Sequence, residues 1–334
     1  MKVKWLDRDD LDGRDIAGAT AIMEACRAID HPQYPVKTVA ELTGLFQHGF
    51  DGEPPDLAVV RDERGRVTAV ADVWLPRRDN QHIVFATVRV DPELRRRGIG
   101  SFLFQEVVEY ARRDGRSVIV TDSADRPEYA AFAAAMGQER VYDEVVRRQD
   151  LLSLDWSRLE REYRDAQAHA GDYELIRIAG STPSELLESI ATLTAAINDA
   201  PHTSEINMED EVFTPERIRE FEAAQEARQV RIYRVAARHK TSGELAGHTV
   251  VAIDADQPWY ASQYDTSVLV SHRGHRLGLL LKIDMLHWLA DEEPQLRELN
   301  TANAGSNEHM IGVNETLGYQ VIDHSIAWQR TLSE

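Results

Sequence analysis

The run Val88-Arg-Val-Asp-Pro-Glu-Leu-Arg-Arg-Arg-Gly-Ile-Gly-Ser-Phe-Leu-Phe104 joins three patterns in one short span. The β-branched residues from His82 to Val90 predict a strand. After Asp91 the composition turns to arginines and glycines, and from Ser101 apolar residues recur at helical spacing. A strand that runs through a basic, glycine-bearing turn into a helix N-terminus suits a pyrophosphate. The first N–H groups of a helix are unpaired, its dipole favours an anion there, and glycine lets the backbone approach closely. Two phosphate-loop readings fail: the turn lacks the Gly-Lys-Ser/Thr ending of an NTPase loop and the third glycine of a dinucleotide fingerprint.

What remains, Arg95-x-x-Gly98-x-Gly100 after Val88-x-Val90, resembles the acyl-CoA pyrophosphate loop of the GNAT N-acetyltransferase superfamily. The resemblance implies acetyl-CoA as acyl donor. It puts Arg95, Arg96, Arg97, Gly98, Ile99, Gly100 and Ser101 against the phosphates, and Val88 and Val90 on a strand edge that hydrogen-bonds the pantetheine arm.

Bulk properties narrow the remaining classes. The chain has 334 residues, 43% of them hydrophobic, and a formal charge of −19. That length suits two domains, no apolar run approaches a membrane span, and the acidic balance argues against a nucleic-acid partner. The N-terminus has no apolar segment followed by a cleavage site and reads as a cytoplasmic start. Cys26 is the only cysteine, so intramolecular disulfides and cysteine-rich metal sites are excluded, and its helical run predicts a buried structural thiol. No spacing suggests a metal site.

Working outward, residues 1–152 predict the order β-α-α-β-β-β-α-β-α-β, the order expected of a GNAT domain, and 153–171 a charged connecting helix. From Tyr173 the order repeats, with Gly278 in the place of Gly100, so 172–334 reads as a second domain. The fold class is therefore mixed α/β, two tandem GNAT domains, each a mostly antiparallel mixed sheet flanked by helices. The segment from Tyr264 to Gly278, followed by Asn307-x-x-Met310-x-x-x-Asn314-x-x-x-Gly318-Tyr319, resembles bacterial tandem GNAT proteins, with a two-domain layout similar to that of mycothiol synthases.

In the second loop Arg273 takes the place of Arg95 and Gly278 that of Gly100, whereas Arg276 replaces Gly98. The resemblance implies CoA contacts from Arg273, Gly274, His275, Arg276, Leu277 and Gly278. It likewise implies a strand edge at Val268 and Val270, and polar contacts from Asn303 and from Asn307, which also suits a helix N-cap.

Acetyl transfer to an amine needs an anchored donor, a polarised carbonyl, a base for the amine and an acid for the thiolate. The tyrosine that the family uses as acid is replaced by Ala133 in the first half and by Asn314 in the second. Asn314 can hydrogen-bond a thiolate but donates no net proton. Asp265 is the expected base, with Glu298 in reserve. The expected function is N-acetylation of a primary amine of a small molecule, with acetyl-CoA bound by the first half and transfer carried by the second. A catalytically weak acyl-CoA-binding or regulatory protein and a protein N-acetyltransferase are the alternatives. A monomer is the expected state, with a dimer as the other option, and no membrane partner is expected.

Overall fold

The computed structural model describes residues 1–199, 206, 208–304 and 307–332. The chain divides into two compact units, and the division differs from a simple cut between the halves. Unit 1 holds residues 1–144, 206, 208–210 and 323–332; unit 2 holds 145–199 and 211–322.

Unit 1 begins with β1 (Val3–Trp5), α1 (Gly13–Asp30) and α2 (Val39–His48). Thr38 caps α2 by accepting the Glu41 N–H. There follow β2 (Asp56–Arg61), β3 (Val67–Trp74), β4 (Ile83–Val90), α3 (Ile99–Arg113), β5 (Val118–Ala124), α4 (Pro127–Ala135) and β6 (Glu139–Asp150). The Leu-Ala-Val-Val run of β2 is apolar at every position because both faces are covered. Ala58 and Val60 lie with Leu103, Phe104, Val107 and Val108 of α3, whereas Leu57 and Val59 lie with Ile16, Leu42 and Phe46 of α1 and α2.

Unit 2 repeats this plan with α5 (Trp156–His169), β7 (Tyr173–Ala179), α6 (Leu187–Ala195), α7 (Pro215–Ala227), β8 (Val230–His239), β9 (Leu245–Asp254), β10 (Tyr260–Val268), α8 (Leu277–Glu292), β11 (Glu298–Ala304), α9 (Glu308–Thr316) and β12 (Gln320–Thr331). The expected connecting helix, 153–171, is part of this unit. Leu159 and Ala166 of α5 join the core formed by Leu277, Leu281, Ile283 and Met285 of α8. The other face of the sheet is covered by α6 and α7, through Ile190, Leu193 and Ile218. No helix among the described residues is long and apolar enough to cross a membrane.

The strands of the two units follow the same order. Four antiparallel strands, β1-β2-β3-β4 or β7-β8-β9-β10, are followed by a parallel partner, β5 or β11. The sixth strand is exchanged. Residues Ser325–Thr331 of β12 pair antiparallel with β5 in unit 1. The last residues of β6 belong to unit 2, where β6 neighbours β11 and Arg148 Nε donates to Asn300 Oδ1 at 2.8 Å. Local pattern predicts both terminal strands, but nothing local selects their partners.

Within each unit the parallel pair parts. The β4–β5 ladder runs from Ile83–Val118 to Ala86–Thr121, and the β10–β11 ladder from Tyr260–Glu298 to Ser262–Asn300. Beyond those points β4 and β10 stay with their antiparallel neighbours, and β10 carries an irregularity between Gln263 and Thr266 that bends it.

A chain ending at Ile322 is expected to lose the partner of β5 together with the buried Ile326 and Trp328. Hydrogen exchange should rise sharply at amides of Val118–Ala124 while β8 and β9 keep full-length protection; equal protection of β5 in both chains would contradict this.

Candidate active site

The two basic loops share a backbone path. In unit 1, Arg96 and Gly98 take positive φ (63° and 81°) before α3; in unit 2, Gly274 and Arg276 do so (88° and 55°) before α8. The alternation holds while the glycine moves from one left-handed position to the other. Arg276 therefore stands in the Gly98 place and itself adopts the left-handed conformation at the helix N-cap. Its side chain turns away to Glu162, at 3.1 Å, and Asp165 of α5. Neither α3 nor α8 has a side-chain cap, so the first-turn N–H groups are left for another acceptor.

A cavity of about 1000 Å³ lies within unit 2, between the second loop and the parted strands. Gly274 and Gly278 line it, and a Cβ built at either meets nothing within 4 Å, so the backbone faces open space. Val268 lines it too, but Val270 does not belong to the strand edge. Here β10 ends at Val268, and Val270 lies in a following 3₁₀ turn, 64% exposed. The Leu269 N–H is drawn to the Ala246 carbonyl and the His272 N–H closes the turn onto Leu269. The partners of Val88 and Val90 are consequently Thr266 and Val268. Gly247 keeps β9 close at this end, since a Cβ there would sit 2.7 Å from the Ser267 carbonyl oxygen.

Asp265 and Asn303 both face the cavity, from β10 and β11. Burial raises the Asp265 carboxyl above the usual range, the buried Arg234 opposes this, and Glu211 adds to it. The reserve carboxylate, Glu298, is not among the lining residues. It sits at the start of β11, 2.8 Å from Arg148. Asn307 caps α9 by accepting the Met310 N–H at 3.2 Å and also lines the cavity. His275 bonds the His272 carbonyl, and His272 is held by Tyr173 at 2.9 Å and Glu244 at 3.1 Å. Leu277 is anchored in the core.

Asn314 is fully buried, its Oδ1 accepting from Lys282 Nζ at 2.6 Å and its Nδ2 donating to Asn303 Oδ1 at 2.8 Å. Lys282, which lines the cavity, escaped the sequence reading. The available signal was a lone lysine four residues after Gly278 in a run of leucines, on the face that a helix of this pattern buries.

In unit 1 the loop arginine is engaged by its own chain. Arg95 pairs with Asp30 at 2.8 Å, bonds the Tyr129 hydroxyl at 3.0 Å and reaches the buried Cys26 sulfur at 3.4 Å. Tyr129 in turn donates to Asp30. Burial raises the Cys26 thiol, as expected of a structural cysteine. Arg96 and Arg97 are exposed on the loop, followed by Gly98, Ile99, Gly100 and Ser101 at the start of α3. By contrast Arg273 holds Asp199 at 3.3 Å with both side chains about half exposed (50% and 47%), a pairing of the kind water and salt weaken.

A parted parallel pair beside an uncapped, glycine-bearing helix start defines the acyl-CoA N-acyltransferase class of fold. Comparison with known proteins agrees. Residues 21–137 match the Acetyltransferase (GNAT) family. The whole chain superposes on a tandem GNAT protein from the clavulanic acid biosynthesis pathway, solved without AcCoA, with a TM-score of 0.81 and 27% identity over 100% of this chain and 99% of that one. A GCN5-related N-acetyltransferase from Sphaerobacter thermophilus shares the fold at a TM-score of 0.67 and 15% identity, over 100% and 96% of the two chains. So does the glucosamine N-acetyltransferase region of a fungal multi-domain β-N-acetylglucosaminidase, at 0.68 and 12%, over 98% of this chain and 38% of that one. A sequence search of proteins with curated functions finds no match. The chain thus carries a GNAT acetyltransferase domain within a tandem GNAT fold that spans its full length.

Burial pulls the Lys282 ammonium down from 10.5 to about 7. Between those values the unfolded chain binds the extra proton, so this group's contribution makes folding more favourable as pH rises through that window. Lys282→Met removes the effect. The stability of the variant relative to wild type should fall steadily from pH 7 to pH 10, as measured by denaturant unfolding, and a pH-independent difference would refute the burial argument.

Proposed function

We propose that this chain is an acetyl-CoA-dependent N-acetyltransferase acting on a primary amine of a small molecule. In this reading unit 2 holds both substrates in one ternary complex, and the chain works as a cytoplasmic monomer. The observation that carries it is the cavity that runs from the uncapped start of α8, along β10 beyond its ladder to β11, to Asp265.

Acetyl-CoA supplies the activated acetyl group. Arg273 exchanges Asp199 for phosphate, the first N–H groups of α8 receive the pyrophosphate, and the edge of β10 from Thr266 to Val268 lies along the pantetheine arm. Asp265 takes a proton from the acceptor ammonium. Its raised pKa favours this role, since a base nearer neutrality is the better proton acceptor. Asn303 and Asn307 present polar groups to the pantetheine amides or to the acceptor.

The expected role of the first loop as the main donor site finds less support, because Arg95 serves Asp30 and Tyr129. A second reading, an acyl-CoA-binding protein of weak activity, is favoured by Asn314 standing where the family places its tyrosine.

Calorimetric titration with acetyl-CoA, followed by assay of free CoA release over a panel of amines, separates the two readings. Arg273→Gln should weaken acetyl-CoA binding by roughly tenfold or more, while Arg95→Gln leaves binding in unit 2 intact. Asp265→Asn should lower turnover by about 10²–10⁴ with acetyl-CoA affinity kept. Tight binding without turnover on any amine would favour the binding-protein reading, and no binding would remove both.

A further inference from the structure

We infer that Lys282 is the proton donor to the departing CoA thiolate, held in the cavity wall by the chain Lys282–Asn314–Asn303. The inference rests on the acyltransferase reading above and supplies the acid that the sequence of neither half provides.

The first support is placement. Lys282 is 2% exposed, on the inner face of α8 among leucines, yet it lines the cavity together with Asn303 and Asp265. Its Nζ lies 4.8 Å from the centre of the Tyr319 ring and 2.6 Å from Asn314 Oδ1. Among the described residues no carboxylate pairs with it. The ionisable groups around it are Tyr319 beside Nζ and, lining the same cavity, Asp199, Asp265 on β10, and His272, Arg273 and Arg276 in the loop. A buried ammonium without a counter-ion is costly, so its place in an otherwise apolar helix face asks for a use.

The second support is the duplication. Aligned by the loop glycines, Lys282 falls where unit 1 has Phe104; aligned by Gly137 and Gly318, Asn314 falls where unit 1 has Ala133. Phe104 and Ala133 are buried in apolar clusters, so this fold closes well at both positions with hydrocarbon. Unit 2 instead has a donor and an acceptor in contact.

The third support is polarity. Asn314 turns its oxygen to Lys282 because its amide is occupied by Asn303. Nζ therefore spends one of its three N–H donors on Asn314, and the side chain that carries it lines the cavity. Burial brings the ammonium down to about 7. Such an ammonium is matched to an alkyl thiol, which lies near 8.5, and the attraction between ammonium and thiolate brings the two closer still, so the proton passes readily to sulfur. In the step, the amine N–C bond forms as the C–S bond breaks, the acylated nitrogen releases its extra proton to cavity water, sulfur takes the electron pair, and the Lys282 proton converts thiolate to thiol. Neutral Lys282 then regains a proton from cavity water.

The test needs no acceptor. The ultraviolet absorbance of thiolate, followed against pH, reports the ionisation of CoA bound to saturating protein. With wild type the bound thiol should titrate about one unit or more below free CoA, because an ammonium beside sulfur favours its anion. With Lys282→Met it should titrate at or above the free value, while calorimetric affinity for acetyl-CoA changes less than about threefold. Wild type alone gives a second reading: the ¹⁵N signal of Lys282 Nζ should titrate higher when CoA is added and stay unmoved with CoA lacking its sulfur. Equal thiol titration in both proteins, or a Lys282 signal indifferent to the sulfur, overturns the inference and leaves the acyltransferase reading standing. Acetylated Lys282 found by mass spectrometry overturns it too, since the lysine would then be a nucleophile. Failure of wild type to bind CoA removes the acyltransferase reading and this inference with it.

Discussion

Everything in the candidate site follows from a parallel strand pair that does not stay paired. Parallel neighbours need a crossover, and here α8 provides it between β10 and β11. The crossover helix must start near the carboxyl end of β10, beyond the last pairing with β11 at Ser262–Asn300 and beyond the register irregularity at Gln263–Thr266. One geometric requirement thus brings an unpaired strand edge and an unpaired helix start to the same opening. The carboxyl ends of parallel strands are where α/β proteins in general place their ligands, and the parting supplies the space.

The duplicated architecture separates what backbone demands from what chemistry demands. Both loops keep two left-handed residues at the same spacing, although glycine occupies the second in unit 1 and the first in unit 2. The path of the loop is therefore common property. The fillings differ: unit 1 satisfies its arginine with Asp30 and Tyr129 and packs Phe104 beneath the loop, whereas unit 2 keeps polar groups in the wall of an open cavity. The neighbouring face of unit 2 is also polar in its interior. His248, fully buried on β9, is held neutral by burial and by the charge of Arg234.

Strand, turn and helix were legible because each is decided by neighbours in sequence: β-branched runs, glycines, and apolar residues at helical spacing. That sufficed to read the tandem fold and its repeat. The reading failed where distant groups decide. Extending β10 to Val270 followed the alternation of valines, but the Ala246 carbonyl and the 3₁₀ turn stop it at Val268. In the helix 153–171 the charges are plain in sequence, whereas the narrow apolar stripe of Leu159 and Ala166 that docks it on α8 is not. Lys282 is inconspicuous in sequence because its significance lies in burial and in Asn314, thirty-two positions further on. The partner of each terminal strand could not be read, since the two strands are alike in pattern and length.

That exchange of strands has a consequence for how the protein is made. A ribosome delivers the N-terminal sequence first, and domains ordinarily close as they emerge. Here β5 must wait for Ser325–Thr331, roughly two hundred residues further along the chain, before its open edge is covered. Until then the nascent chain carries an exposed, β-branched strand edge of the kind that recruits other chains. The two halves are consequently one unit of biogenesis whatever their division of chemical labour, and a gene split between them would yield two polypeptides that each need the other to finish a sheet.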